Sequence, residues 1–106
     1  MPKFMVEASY TPEGLRGVIK DKASGRRQSI VKAMESVGGK LDALYYCLGE
    51  SDVIVIVDAP DLAAVTTVCF AVSATGLVRT RTRPLLTVEE TDRALAKAPV
   101  YRPPGG

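Results

Sequence analysis

Histidine and tryptophan are absent from the 106 residues, and cysteine occurs only twice. The first absence removes Ser-His-Asp and Cys-His catalysis, histidine-ligated haem and histidine-bearing metal sites. The second, with only four tyrosines and two phenylalanines, leaves few rings to stack on bases. A dominant charge is lacking too. Fourteen Lys and Arg against 12 Asp and Glu leave a formal net charge of +2, which attracts nucleic acid only weakly. Nucleic acid is therefore not an expected partner. No apolar run approaches the roughly 20 residues of a membrane span, and Met1-Pro2-Lys3 opens no signal-peptide core. A membrane partner is not expected, and the expected location is the cytoplasm. Cys47 and Cys69 have neither metal-ligand nor CxxC spacing and lie in apolar runs without a neighbouring cation. They read as small reduced core residues. No phosphate-loop, dinucleotide or zinc spacing occurs, so no cofactor or metal is expected.

What is present is a folding composition, 46% hydrophobic and 25% charged, of a length that makes one domain with one small core. Residues 3–10 alternate, with Phe4, Val6, Ala8 and Tyr10 on one face and Lys3, Met5, Glu7 and Ser9 on the other, which is a half-buried strand. Thr11-Pro12-Glu13 supplies an N-cap, an N1 proline and a first-turn acid for a helix carrying Leu15, Val18 and Ile19. Lys22-Ala23-Ser24-Gly25 interrupts it. A second helical segment, with Ile30, Val31, Met34 and Val37 in step, stops at Gly38-Gly39. Strands at 41–49 and 52–58 flank the turn Gly49-Glu50-Ser51 as a hairpin. A helix spans 61–75 and a last strand 77–86. Thr87-Val88-Glu89-Glu90 is a capping box opening a short helix to about Ala98. Residues 1–98 form the domain, and 99–106 read as a flexible tail.

The order β-α-β-β-α-β plus a terminal helix is the split βαβ, ferredoxin-like arrangement: an α+β fold on a four-stranded antiparallel sheet. Right-handed crossovers put the first and third strands in the centre, and Pro84 suits the fourth at an edge. Both helices then cover one face, so the central strands should carry polar residues on the other. They do not. In 52–58, valines 53, 55 and 57 point one way and Ile54 and Ile56 the other. An exposed face of that kind is remedied most simply by a second copy packed on it, so a homodimer or larger even-numbered oligomer is expected. Helix 61–75 is apolar nearly all round, so its outer side is expected under the terminal helix or, alternatively, in another subunit contact.

Three stretches carry a resemblance. Leu48-Gly49-Glu50-Ser51-Asp52-Val53 is similar to the Gly-x-Tyr-Asp signature of the GYD-domain family, with Ser51 where that signature has tyrosine. Asp58-Ala59-Pro60-Asp61 resembles its acidic-x-Pro-Asp helix start, and Val78-Arg79-Thr80-Arg81-Thr82 its Val-Arg-Thr-x-Thr strand. The resemblance runs over residues 3–92. It implies a dimeric α+β barrel, two ferredoxin-like sheets closing around a central cavity, and brings no common reaction with it.

The residues available for chemistry are few. Arg79, Arg81 and Arg83 share one face of the last strand, with Glu7 as the expected partner across from them, and form either an anion-binding wall or a charged edge. The alternative lining is Val78, Thr80 and Thr82. Of the adjacent Tyr45 and Tyr46, one faces the helices and the other the open side, and the row shared with Asp42 favours Tyr46 for the cavity. The ligand-binding candidates are thus Arg79, Arg81, Glu7 and Tyr46, and no residue is assigned a catalytic role. Glu50 and Asp52 read as hairpin-turn acids. Lys20, Lys22, Arg26 and Arg27 form a basic bend at the helix break, solvated or holding a phosphate. Two readings stay open. One is a small-molecule-binding barrel, with or without cofactor-independent catalysis on an anionic or phenolic ligand. The other is a non-catalytic oligomeric scaffold.

Overall fold

A computed structural model describing residues 1–106 gives the order β1 (Lys3–Tyr10), α1 (Pro12–Ser36), β2 (Lys40–Tyr46), β3 (Val53–Asp58), α2 (Leu62–Ala74), β4 (Val78–Leu85) and α3 (Val88–Leu95). The four strands form one antiparallel sheet in the order β2-β3-β1-β4. This is the ferredoxin-like βαββαβ arrangement with a C-terminal helix added. No helix is long and apolar enough to cross a membrane.

The alternation in β1 and β3 sets the layers. Phe4, Ala8, Val53, Val55 and Val57 are buried beneath the helices together with Met34, Ala59 and Val65. Burying valine-sized side chains contributes roughly 1.5–3 kcal/mol each. The capping residues act as their types suggest. Thr11 accepts from the Gly14 N–H, and Asp61 from the Ala64 N–H. Thr87 and Glu90 close a reciprocal capping box.

The interruption of α1 falls at Lys22, whose φ of 65° and ψ of 162° leave the helix. That region is occupied almost solely by glycine and costs other residues about 1–3 kcal/mol. Lys22 is exposed and loses little packing when truncated. Lys22→Gly is therefore expected to stabilise the fold by about 1 kcal/mol, after the extra entropy of glycine in the unfolded chain. Urea unfolding checks this, and a loss of stability would show that the break is not strained.

Three expectations are corrected. First, β2 ends at Tyr46 rather than residue 49, because the Cys47 N–H donates to the Asp52 carbonyl and closes a loop over 47–52. Second, the register of β2 slips between Leu41 and Ala43, a bulge that takes Asp42 out of the row of Leu44 and Tyr46. Third, α3 does not cover α2. It has no substantial contact with any other element and buries no residue, and Phe70 on α2 stays 72% exposed. The capping box starts α3 only two residues after β4, and the helix leads away from α2 instead of back over it.

Candidate functional site

The side of the sheet away from the helices holds most of the candidates. Pairing places Glu7 opposite both Arg81 on β4 and Ile54 on β3, Met5 opposite Arg83 and Ile56, and Ser9 opposite Arg79. Tyr45 lies opposite Ile54 on the outer strand. The result is a central apolar strip of Met5, Ile54 and Ile56, with the arginine row along one border and Tyr45, 70% exposed, along the other.

Carboxylates neutralise most of the cations on this face. Glu7 Oε2 lies 2.8 Å from Arg83 Nη2, an ion pair without the alignment of a hydrogen bond. Arg81 reaches the exposed Glu50 at 3.9 Å, a contact that stabilises little in water. Lys3 bridges Asp58 at 2.9 Å and Asp42 at 3.2 Å. Its hydrogen bonds to Asp58 and Asp42 hold its ammonium above the usual lysine range. Arg79 has no carboxylate within 4 Å. It borders a shallow depression of about 330 Å³ shared with Thr11, Ser73 and Thr80.

The 47–52 loop fastens this border to the sheet. Asp52 Oδ2 accepts from the Tyr10 N–H at 2.8 Å, and the Asp52 N–H donates to the Ala8 carbonyl at 2.8 Å. The Ser9 hydroxyl donates to the Glu50 carbonyl at 2.7 Å. Ser51 is buried, its hydroxyl 3.5 Å from Glu7 Oε1. Asp52 is thus a structural tie, and Glu7 is held from two sides.

Of the four ligand-binding candidates, Arg79, Arg81 and Glu7 are on one face and Tyr46 is on the other. Tyr46 pairs with Val53, on the helix side. The parity that placed it beside Asp42 is cancelled by the bulge, which sends Asp42 to Lys3 on the opposite face. Tyr45 takes the position on the open side. Val78, Thr80 and Thr82 also face the helices, with Thr82 Oγ1 3.4 Å from Cys69 Sγ.

On the helix side Tyr46 meets a residue that the sequence pattern marked only as core. It neighbours Tyr10, and Arg26 from the basic bend reaches the same point. Burial, reinforced by Tyr46, holds the Tyr10 phenol above the usual tyrosine range, while Arg26 pulls it down. Arg26 and Tyr10 are 16 positions apart (26 − 10) in different elements, so only the fold of α1 over β1 brings them together. Their one signal was Arg26 standing four residues beyond a helix break. Nowhere do three His, Cys, Asp or Glu side chains converge to hold a metal ion. The family model of the GYD domain matches residues 4–95, and no curated protein and no solved structure matches the chain.

Proposed function

The chain belongs to the GYD-domain family, and from that premise we propose that it is a small-molecule-binding protein that works as a homodimer. The two copies meet through the open faces of their sheets. The observation that carries this is the strip Met5, Ile54 and Ile56, which no element of the chain covers and which ion pairs frame. Apolar centres with polar rims suit association between copies. The ligand is anionic or phenolic. Arg79 is the cation of the row left without a carboxylate, and a guanidinium binds carboxylate or phosphate in a two-pronged contact. Any proton transfer would fall to tyrosine, carboxylate or water, since histidine is absent.

Native mass spectrometry of the protein purified from its own cells tests both parts. An even-numbered oligomer carrying a reproducible extra mass is expected. Arg79→Ala is expected to keep the oligomer and lose that mass. If the substitution dissociates the oligomer, Arg79 is structural. A bare monomer of 11.3 kDa overturns the reading. A second reading, a non-catalytic oligomeric scaffold, is favoured by the uncovered apolar side chains of α2 and α3, among them Leu62, Phe70 and Leu95. An oligomer that retains nothing would select it.

A further inference from the structure

Two adjoining cavities lie on the helix side, against the face opposite the arginine row. The inner one, of about 80 Å³, is walled by core valines and by Ile30 and Met34. The outer one, of about 220 Å³, runs between the first half of α1 and α2 and is walled by Gly14, Gly17, Val18 and Leu77. They share Tyr10, Arg26, Val72 and Val78. α1 and α2 barely touch each other. The break at Lys22 divides α1 just before Arg26, and glycine at 14 and 17 offers no side chain to fill the gap between the helices.

Arg26 is the sole cation in either wall. Its carboxylate partner, Asp21, is half-exposed and 3.7 Å away, a loose pair that leaves the guanidinium able to take a second anion. Around it the inner walls are almost wholly apolar, which suits a hydrocarbon body and gives water few partners. A charge held beside such walls interacts more strongly than it would in bulk water. A ligand matching both features has a compact apolar body and one carboxylate.

We infer that this cleft is a binding site for a single-ring aromatic carboxylic acid, its ring against Val68 and Val72 and its carboxylate on Arg26, with the Tyr10 hydroxyl as a second donor. The inference rests on reading the chain as a small-molecule binder, and it is independent of the dimer and of the arginine row. The small inner volume excludes fused rings, which would have to displace core valines.

The test uses the full chain with labelled valine and isoleucine methyl groups, titrated with benzoate and with its neutral counterpart benzyl alcohol. Benzoate is expected to shift the methyl signals of Val68 and Val72 and to leave those of Ile54 and Ile56 in place. Arg26→Gln should raise the benzoate Kd by about tenfold or more, the loss of one charge-assisted contact, and leave benzyl alcohol binding unchanged. Lys32→Gln removes an equal charge from an exposed position on α1 and should alter neither. Shifts confined to Ile54 and Ile56 would move binding to the open face, upholding the small-molecule reading and overturning this site. No shift at millimolar benzoate, or a Kd indifferent to Arg26→Gln, also overturns it. The broader reading fails separately, on an oligomer that retains no small molecule.

Discussion

Ile54→Asp is expected to convert the proposed dimer into a folded monomer. Ile54 lies at the middle of the open face, paired with Glu7 on one side and Tyr45 on the other. In the single chain it is half-buried with no layer above it, so a carboxylate there keeps access to water and costs the isolated fold little. In a face-to-face dimer that carboxylate loses its water, and its repulsion by the cross-strand neighbour Glu7, screened by solvent in the monomer, is strengthened. Burying an unpaired charge of this kind costs about 2–3 kcal/mol even after partial relaxation. An isologous contact counts every substitution twice, so the dissociation constant should rise about 10³-fold or more. Sedimentation velocity at micromolar concentration reads the change, and far-ultraviolet circular dichroism confirms that the fold is intact. If the variant remains a dimer, the copies meet through another surface. The uncharged outer side of α2, with Leu62 and Phe70 exposed, would then be examined next.

That experiment depends on knowing which side chains share a face, and here the sequence was informative to different degrees in different strands. β1 and β3 alternate without irregularity, so parity alone separated the buried valines from Ile54 and Ile56 and placed Glu7 beside the arginines. Local capping chemistry was equally legible. Thr11, Asp61 and Thr87 sit where their hydroxyl or carboxylate groups accept helix N–H groups, because those interactions span only three residues. The bulge at Asp42 was not legible. One extra residue in an edge strand leaves no mark in composition, yet it moves Asp42 to the face of Lys3 and leaves Tyr46 on the helix side. The pairing within the arginine row was legible only in part. Arg81 stands opposite Glu7 in register, but the long side chain of Arg83 reaches Glu7 on the diagonal instead. The cleft at Arg26 needed the fold itself, since it is made by two helices that barely touch and by Tyr10 and Val78, which only the pairing of β1 with β4 brings together.

Gly14→Ala is expected to destabilise the protein by about 2–3 kcal/mol, against the direction set by helix propensity. Gly14 lies in the first turn of α1, where alanine is ordinarily up to about 1 kcal/mol better than glycine. A Cβ at this position would overlap the Leu77 carbonyl oxygen and stand 3.2 Å from the Leu77 Cβ. The Leu77 carbonyl cannot simply retreat. It accepts from the Thr11 N–H at 2.9 Å and from the Thr11 hydroxyl at 3.3 Å, tying the start of α1 to the approach to β4. Either α1 lifts from the sheet or that tie is lost, and overpacking of this kind typically costs about 1–3 kcal/mol before a broken hydrogen bond is added. For a domain of this size the loss corresponds to a fall in Tm of roughly 10–20 °C. Gly17→Ala, one turn further along the same helix, is the internal comparison. Its Cβ would meet nothing within 4 Å, so propensity acts alone and a gain of about 0.5–1 kcal/mol is expected. Opposite signs at two glycines three residues apart would establish that the close approach of α1 to Leu77 is real. Stabilisation at both would mean that the helix stands off the sheet at its first turn, and the shape of the cleft beneath it would have to be redrawn.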